Sequence, residues 1–140
     1  MRKDNLENIK LLQFKAEDVN EVVNMWNEIV SEDSIYAPMS VEEFNGKFLK
    51  NPHYKNEGSV IAKLNDEIIG YGNAIYREGS DPETAPGFIS MICVKKEYQR
   101  NGIGTKILKY LENYLQSEGR IFNLLIGPEI PSFIKLNARW

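Results

Sequence analysis

The chain has 140 residues, 42% of them hydrophobic, and its 17 Lys and Arg against 20 Asp and Glu give a formal net charge of -3. This length predicts one domain over residues 1–140, and the charge lacks the concentrated positive field that a nucleic-acid backbone requires. No apolar run approaches the roughly 20 residues that span a bilayer, and the N-terminus has no signal core. We therefore expect a cytoplasmic protein that binds neither nucleic acid nor a membrane.

Cysteine and histidine usage restricts the chemistry further. Cys93 is the single cysteine and His53 the single histidine. Neither an intrachain disulfide nor a Cys/His metal cluster can form from one residue of each type. We expect no metal, and we interpret Cys93, within an apolar strand, as a small core residue and not as a nucleophile.

The first half of the chain predicts a strand and two helices. Residues 9–14 are short and apolar-rich, as in a strand. From Asp18 onward, apolar residues recur at three- and four-residue spacing, which places them on one helical face. A second, shorter helix is predicted from Val41, because Ser40 and Glu43 can cap each other's backbone amides.

The second half predicts a hairpin, a buried strand, a helix and a further strand. Residues 59–64 and 68–76 flank a polar turn, and residues 88–94 are almost continuously apolar. The apolar stripe from Ile103 to Leu115 predicts a helix ending near Gly119, and residues 121–126 predict another interior strand. The order predicts an α/β (α+β) domain with a mixed central sheet and helices on both faces.

A glycine turn joins the buried strand to the helix that follows it. Its sequence is Gln99-Arg100-Asn101-Gly102-Ile103-Gly104. A helix N-terminus presents unpaired N–H groups and the positive end of the helix dipole, and glycine lets an anion approach the backbone closely. The turn therefore predicts a pyrophosphate site.

Two other phosphate motifs fail on specific residues. The dinucleotide fingerprint requires a third glycine at position 107, where the chain has Ile107. A P-loop requires Gly-Lys-Ser/Thr with a glycine five residues earlier, whereas the order here is Gly104-Thr105-Lys106 and the earlier position holds Gln99.

The remaining pattern, Gln/Arg-x-x-Gly-x-Gly after a strand that ends at Val94, resembles the coenzyme A signature of the GNAT acetyltransferase superfamily. The predicted order from Ile9 to Ile126 is similar to the fold of that superfamily, the acyl-CoA N-acyltransferase-like fold. The resemblance implies acetyl-CoA as co-substrate, with its pantetheine arm between the strand ending at Val94 and that at residues 123–126. The implied cofactor contacts are Ile92, Cys93, Val94, Gln99, Arg100, Asn101, Gly102, Ile103, Gly104 and Thr105.

The acceptor side carries fewer signals. Aminolysis of a thioester needs a neutral amine and a donor to the developing oxyanion. No Asp, Glu or His occurs in residues 88–94, so a base would come from elsewhere or act through water on Ser90, Tyr71, Tyr76 or Glu83. In this superfamily the acid that protonates the leaving thiolate is commonly a tyrosine in the helix after the fifth strand, but residues 132–140 contain no tyrosine.

The apolar residues at the end of the sequence indicate that the fold is C-terminally incomplete. Phe133, Ile134, Leu136 and Trp140 need burial, and an uncovered apolar end favours association. We expect a fragment of a longer or tandem-domain protein, the alternative being a homodimer in which a second copy covers the open edge.

These features favour acetyl transfer from acetyl-CoA to a primary amine of a small molecule or peptide. The missing tyrosine leaves open a non-catalytic CoA-binding or assembly domain. A phosphate-sensing module unrelated to CoA is a third interpretation.

Overall fold

A computed structural model describes residues 3–31, 36–82 and 87–120. Over these residues four strands form one antiparallel sheet in the order β1-β2-β3-β4. The strands are β1 (Ile9–Gln13), β2 (Ser59–Leu64), β3 (Glu67–Ile75) and β4 (Phe88–Val94). The helices are α1 (Val19–Ser31), α2 (Val41–Phe44) and α3 (Ile103–Ser117). The strand predicted at residues 121–126 and the apolar residues between 133 and 140 lie outside the described residues.

Helices α1 and α2 cover one face of the sheet. The predicted apolar stripe of α1 is confirmed, with Val22, Val23 and Trp26 buried against the sheet. The predicted cap of α2 is also confirmed, since Ser40 Oγ accepts from the Glu43 N–H and Glu43 Oε1 accepts from the Ser40 N–H, each at 3.0 Å. After four residues α2 continues as a π-helical turn, Asn45–Leu49, which the sequence pattern did not predict.

Helix α3 covers the opposite face and approaches β3 closely. A Cβ at Gly72 would lie 2.4 Å from Ile107 Cγ2 and 3.0 Å from Leu111 Cδ1. The absence of a side chain at this position lets the helix pack directly on the strand, and its buried residues Ile103, Ile107, Leu111 and Leu115 complete that half of the core. The helix ends where predicted, with Gly119 in the left-handed conformation at φ 74°.

A β-bulge interrupts the pairing of β3 with β4. Asn73 pairs with Met91 and Ala74 pairs with Ile89, so Ser90 is the extra residue of β4. A bulge leaves one residue out of the ladder and bends the strand locally. Ser90 and Met91 consequently face the same side of the sheet, where both line a cavity.

The predicted fold class is confirmed, with one central sheet and helices on both faces. The four described strands are all antiparallel. The sequence predicted a mixed sheet, and the strand that it placed at residues 121–126 lies outside the described residues. No described helix is both long and apolar enough to cross a membrane.

Candidate functional site

The glycine turn after β4 has the backbone shape of an anion cradle. Arg100 and Gly102 both adopt positive φ values, 66° and 80°, and α3 begins at the next residue. A left-handed non-glycine residue costs on the order of 1–3 kcal/mol and persists only where its surroundings fix it. The Asn101 side chain does so, because its Nδ2 donates to the carbonyls of Tyr98 and Gln99 at 3.1 and 3.0 Å.

The first turn of α3 carries backbone amides that the helix itself does not use. The first hydrogen bond of the helix runs from the Lys106 N–H to the Gly102 carbonyl at 3.1 Å. The N–H groups of Ile103, Gly104 and Thr105 find no acceptor among the described residues. A Cβ at Gly102 would have no atom within 4 Å. The helix dipole, three amides and open space thus coincide, with the exposed Arg100 beside them.

The edge of β4 leads away from this cradle. The Lys95 N–H donates to the Ile69 carbonyl at 2.9 Å, and backbone groups alternate sides along an antiparallel strand. Ile92 and Val94 therefore turn their N–H and carbonyl groups away from β3. The Val94 carbonyl accepts from Gln99 Nε2 at 3.0 Å, which ties the turn to the strand end.

Cys93 is a core residue in this strand. Its side chain is fully buried on the face covered by α1 and α2. Burial raises the pKa of the Cys93 thiol from 9.0 to about 12, although a backbone hydrogen bond from Tyr71 opposes the shift. A thiol that stays protonated at neutral pH is a poor nucleophile.

A cavity of about 450 Å³ opens on the face covered by α1 and α2. Its walls come from α1, the segment 36–39 and the α2 region, and its floor from β3 and β4 at the bulge. The described lining residues are Trp26, Tyr36, Ala37, Pro38, Met39, Glu43, Lys47, Phe48, Asn51, Asn73, Ile75, Ser90 and Met91.

Ser90 lies on the cavity floor and is held by Asn73. The Ser90 hydroxyl donates to Asn73 Oδ1 and to the Asn73 carbonyl, the latter at 3.2 Å. Asn73 is fully buried, and its Nδ2 donates to Ser59 Oγ at 2.6 Å. Because the Ser90 proton is engaged with Asn73, the Ser90 oxygen is left to accept a hydrogen bond from the cavity.

The other candidates for acceptor chemistry lie elsewhere. Tyr76 packs on the α3 face, where its hydroxyl accepts from Lys55 Nζ at 3.1 Å. Tyr71 is buried on the cavity's face between Phe14 and Phe44, with ring-centroid separations of 5.4 and 5.7 Å. Burial raises the pKa of Tyr71 well above its ordinary value, against a hydrogen bond with Ser59 that lowers it. Glu83 lies outside the described residues.

A family model named Acetyltransferase (GNAT) family matches residues 22–126, three quarters of the chain. The chain belongs to the GNAT acetyltransferase family. This match confirms the resemblance to the GNAT superfamily that the Gln99–Gly104 motif indicated. No curated protein matches the sequence at a significant level.

Solved GNAT structures share the fold at low sequence identity. An aminoglycoside acetyltransferase from an uncultured soil metagenomic sample, in complex with sisomicin, has a TM-score of 0.66 and 17% identity over 95% of this chain and 86% of that one. The ribosomal-protein-S18-alanine N-acetyltransferase from Escherichia coli gives 0.61 and 15%, covering 79% and 61%. A GNAT acetyltransferase from Brucella melitensis, in complex with acetyl-CoA, gives 0.60 and 13%, covering 80% and 71%.

Within this GNAT chain, the structure brings some predicted site residues together and separates others. Residues 99–105 form the turn before α3 and the first residues of that helix, and Ile92 and Val94 lie at the end of β4. Ser90 and Tyr76 lie on opposite faces of the sheet. Sequence reasoning missed Asn73, although an amide inside the apolar run of β3 is the kind of buried polar residue that signals a specific partner.

Proposed function

We propose that this GNAT protein transfers an acetyl group from acetyl-CoA to a primary amine by direct attack. The observation that carries the proposal is the cradle at residues 99–105, where three amides at the N-terminus of a 15-residue helix have no acceptor among the described residues. A doubly charged pyrophosphate is the ligand class that such a terminus favours. The family membership and the acetyl-CoA bound to the Brucella melitensis relative support the same ligand.

The thioester would lie along the edge of β4 that faces away from β3. With the pyrophosphate at residues 99–105, the pantetheine arm runs beside Val94 and Ile92 toward the bulge at Ser90. The outward N–H of Ile92 donates to the thioester carbonyl, and this hydrogen bond strengthens as negative charge develops on the oxygen. The bulge also brings this strand to the floor of the cavity, from which the amine attacks.

Transfer then needs few groups from the protein. A neutral amine nitrogen attacks the carbonyl carbon, the C–S bond breaks, and the CoA thiolate leaves and takes up a proton. The amine loses one proton to solvent. The Ser90 hydroxyl hydrogen is engaged by Asn73, so the Ser90 oxygen accepts a hydrogen bond from an N–H of the amine. This hydrogen bond orients the nitrogen lone pair toward the thioester carbonyl.

Titration calorimetry with acetyl-CoA tests the cradle. Gly102→Glu places a carboxylate in the open space before the amides, so we expect Kd to rise at least about 100-fold, or about 2.7 kcal/mol. Gly119→Glu is the matched control, because Gly119 also has a positive φ and no atom within 4 Å of an added Cβ. Both variants carry the same left-handed strain of about 1–2 kcal/mol, but Gly119 lies at the other end of α3. The Kd of Gly119→Glu for acetyl-CoA should therefore stay within about threefold of the wild-type value.

Two results would reject parts of the proposal. A folded wild-type chain that binds no acetyl-CoA would remove the function altogether, and undiminished binding by Gly102→Glu would remove the assigned cradle. Acetyl-CoA binding without turnover across a broad amine panel would instead favour the non-catalytic CoA-binding domain.

A further inference from the structure

The cavity above Ser90 has walls that are largely apolar and aromatic. Trp26, Phe48 and Met91 are each at least nine-tenths buried, and Met39 and Ile75 are half-buried beside them. An apolar lining with a few convergent polar groups is the usual composition of a small-molecule site, and about 450 Å³ falls within the usual size range of such sites. The lining therefore favours a ligand with an apolar body.

Charged groups of the described lining offset each other. They are Glu43 and Lys47, one turn apart on the helical segment. The Glu43 carboxylate already accepts the Ser40 N–H in the helix cap. Among the described lining residues, a ligand with several ammonium groups would thus meet one engaged carboxylate and one lysine, and each ammonium left unpaired there would lose hydration without compensation.

The wall opposite the sheet is fixed in position. Asn27 Nδ2 donates to the Met39 carbonyl at 2.9 Å, and the Met39 N–H donates to Asn27 Oδ1 at 2.8 Å. Trp26 Nε1 donates to the Ala37 carbonyl at 3.3 Å, and the rings of Trp26 and Tyr36 lie 5.9 Å apart. These contacts hold segment 36–39 against α1, so the apolar slot is present before a ligand binds.

We propose that the acceptor is a small monoamine whose amino group is attached to an apolar or aromatic body. The body occupies the slot among Trp26, Phe48 and Met91, and the amine donates to Ser90 Oγ on the floor. This assignment rests on the proposed acetyl transfer. It separates the protein by substrate class from a fold relative that was solved with sisomicin, an aminoglycoside.

A panel of amines tests the assignment on the wild-type chain. The aromatic monoamines are 2-phenylethylamine and tryptamine. Ethylamine serves as a monoamine without a large apolar group, and spermidine and sisomicin serve as polycations. We expect kcat/KM for the two aromatic monoamines to exceed that for each other probe at least about tenfold, the discrimination that an apolar pocket supplies per one or two buried groups. Equal or better turnover of spermidine or sisomicin would overturn the proposal.

One wall variant localises the effect. Ile75→Asp adds a carboxylate to the slot and should lower kcat/KM for 2-phenylethylamine at least about tenfold while narrowing the gap to spermidine. Leu12→Asp is the control, since Leu12 is 43% exposed on β1 and does not line the cavity. If Ile75→Asp, folded by circular dichroism, leaves the order of amines unchanged, the slot is not the acceptor site.

Direct binding separates this inference from the proposed function. Calorimetric titration of the same amines into the CoA-saturated chain gives their order of affinity without turnover. If acetyl-CoA binds but no amine is acetylated, the proposed transfer fails, and the order of amine affinities still decides the substrate class. Tighter binding of 2-phenylethylamine than of spermidine supports the slot, and the reverse order rejects it.

Discussion

Ser90 is held in position by Asn73, a buried residue whose own side chain is fixed by hydrogen bonds. Asn73 is fully buried and spans from Ser59 on β2 to Ser90 on β4. A satisfied buried amide fixes the direction of its partners, because breaking either bond would leave a polar group unpaired in a low-dielectric interior. The direction of the Ser90 lone pairs therefore depends on the relative positions of β2, β3 and β4.

Removal of the Ser90 hydroxyl should affect the acceptor more than the cofactor. We expect Ser90→Ala to lower kcat/KM for the amine about tenfold, which is the loss of one hydrogen bond of about 1.4 kcal/mol, with an unchanged Kd for acetyl-CoA. Steady-state kinetics and calorimetry measure the two effects. Ser117→Ala, in the last turn of α3, is a remote control. An unchanged kcat/KM would show that Ser90 does not touch the amine.

Cys93 should be inert in the folded protein. With a pKa of about 12, about one thiol in ten thousand is ionised at pH 8. An aromatic disulfide reagent should therefore label the native chain far more slowly than the chain in urea, where reaction is stoichiometric. Rapid labelling of the native chain would contradict this burial.

The raised pKa of Cys93 also fixes the sign of a pH effect. Its contribution to stability is fully present below the unfolded pKa of 9.0 and is lost as the pH rises toward the folded value of about 12. The buried Tyr71 acts in the same direction above its ordinary pKa. Urea midpoints should thus fall from pH 8 to pH 10, and a rise over this interval would contradict the assignment.

At the scale of elements, the contact of α3 with β3 depends on a missing side chain. Ile107 and Leu111 occupy the space in which a side chain at Gly72 would lie. Both residues are buried in the helix–sheet interface and cannot move aside as a flexible surface side chain would. The glycines of β3 therefore set the distance between the helix and the sheet.

Gly72→Ala should destabilise the protein through overpacking. We expect a loss of about 1–3 kcal/mol in the free energy of unfolding, because the new methyl would lie 2.4 Å from Ile107 Cγ2. Chemical denaturation measures this loss. Gly46→Ala is the control, since nothing lies within 4 Å of its added methyl, and it should change stability by less than about 1 kcal/mol. Equal effects of the two substitutions would show that α3 can shift.

At the scale of the whole molecule, Arg120 connects the end of α3 to the loop after β3. Its guanidinium donates to Ser80 Oγ at 2.8 Å and to the Ser80 carbonyl at 3.0 Å, and it lies 4.6 Å from the centre of the Tyr76 ring. Arg120 is 6% exposed. Hydrogen bonds to a buried charge are worth more than those of a surface ion pair. This contact joins segments forty residues apart in sequence.

Arg120→Met keeps the apolar stem and removes the charge. We expect it to cost about 3 kcal/mol of unfolding free energy, since the two charge-assisted bonds to Ser80 are lost and each is worth about 1.5 kcal/mol or more. Ser80→Ala removes the bond from Arg120 to Oγ and the one that Oγ donates to the Arg77 carbonyl, but it keeps the charged bond to the Ser80 carbonyl and should cost less. Urea denaturation compares both variants with the wild type, and a larger loss from Ser80→Ala would contradict the role of the Ser80 carbonyl.

The sequence by itself determined the order of the described helices and strands, their approximate ends and the glycine turn at residues 99–105, where we propose that the pyrophosphate binds. These features depend on local regularities: the apolar periodicity of α1 and α3, the reciprocal cap of Ser40 and Glu43, and the contiguous glycine turn at residues 99–105. Periodicity and capping act over one or two turns of chain, so they can be read without tertiary contacts.

Tertiary structure alone decided the cavity in which we propose that the acceptor binds. The cavity is assembled from α1, segment 36–39, the π-helical turn and two strands, which no local pattern brings together. The bulge at Ser90 and the support of Asn73 depend on the pairing of β3 with β4, and the separation of Ser90 from Tyr76 depends on which face of the sheet each occupies. A register shift of one residue moves every side chain of a strand to the other face of the sheet. The residues that line the cavity therefore depend on strand pairing, which the sequence alone does not show.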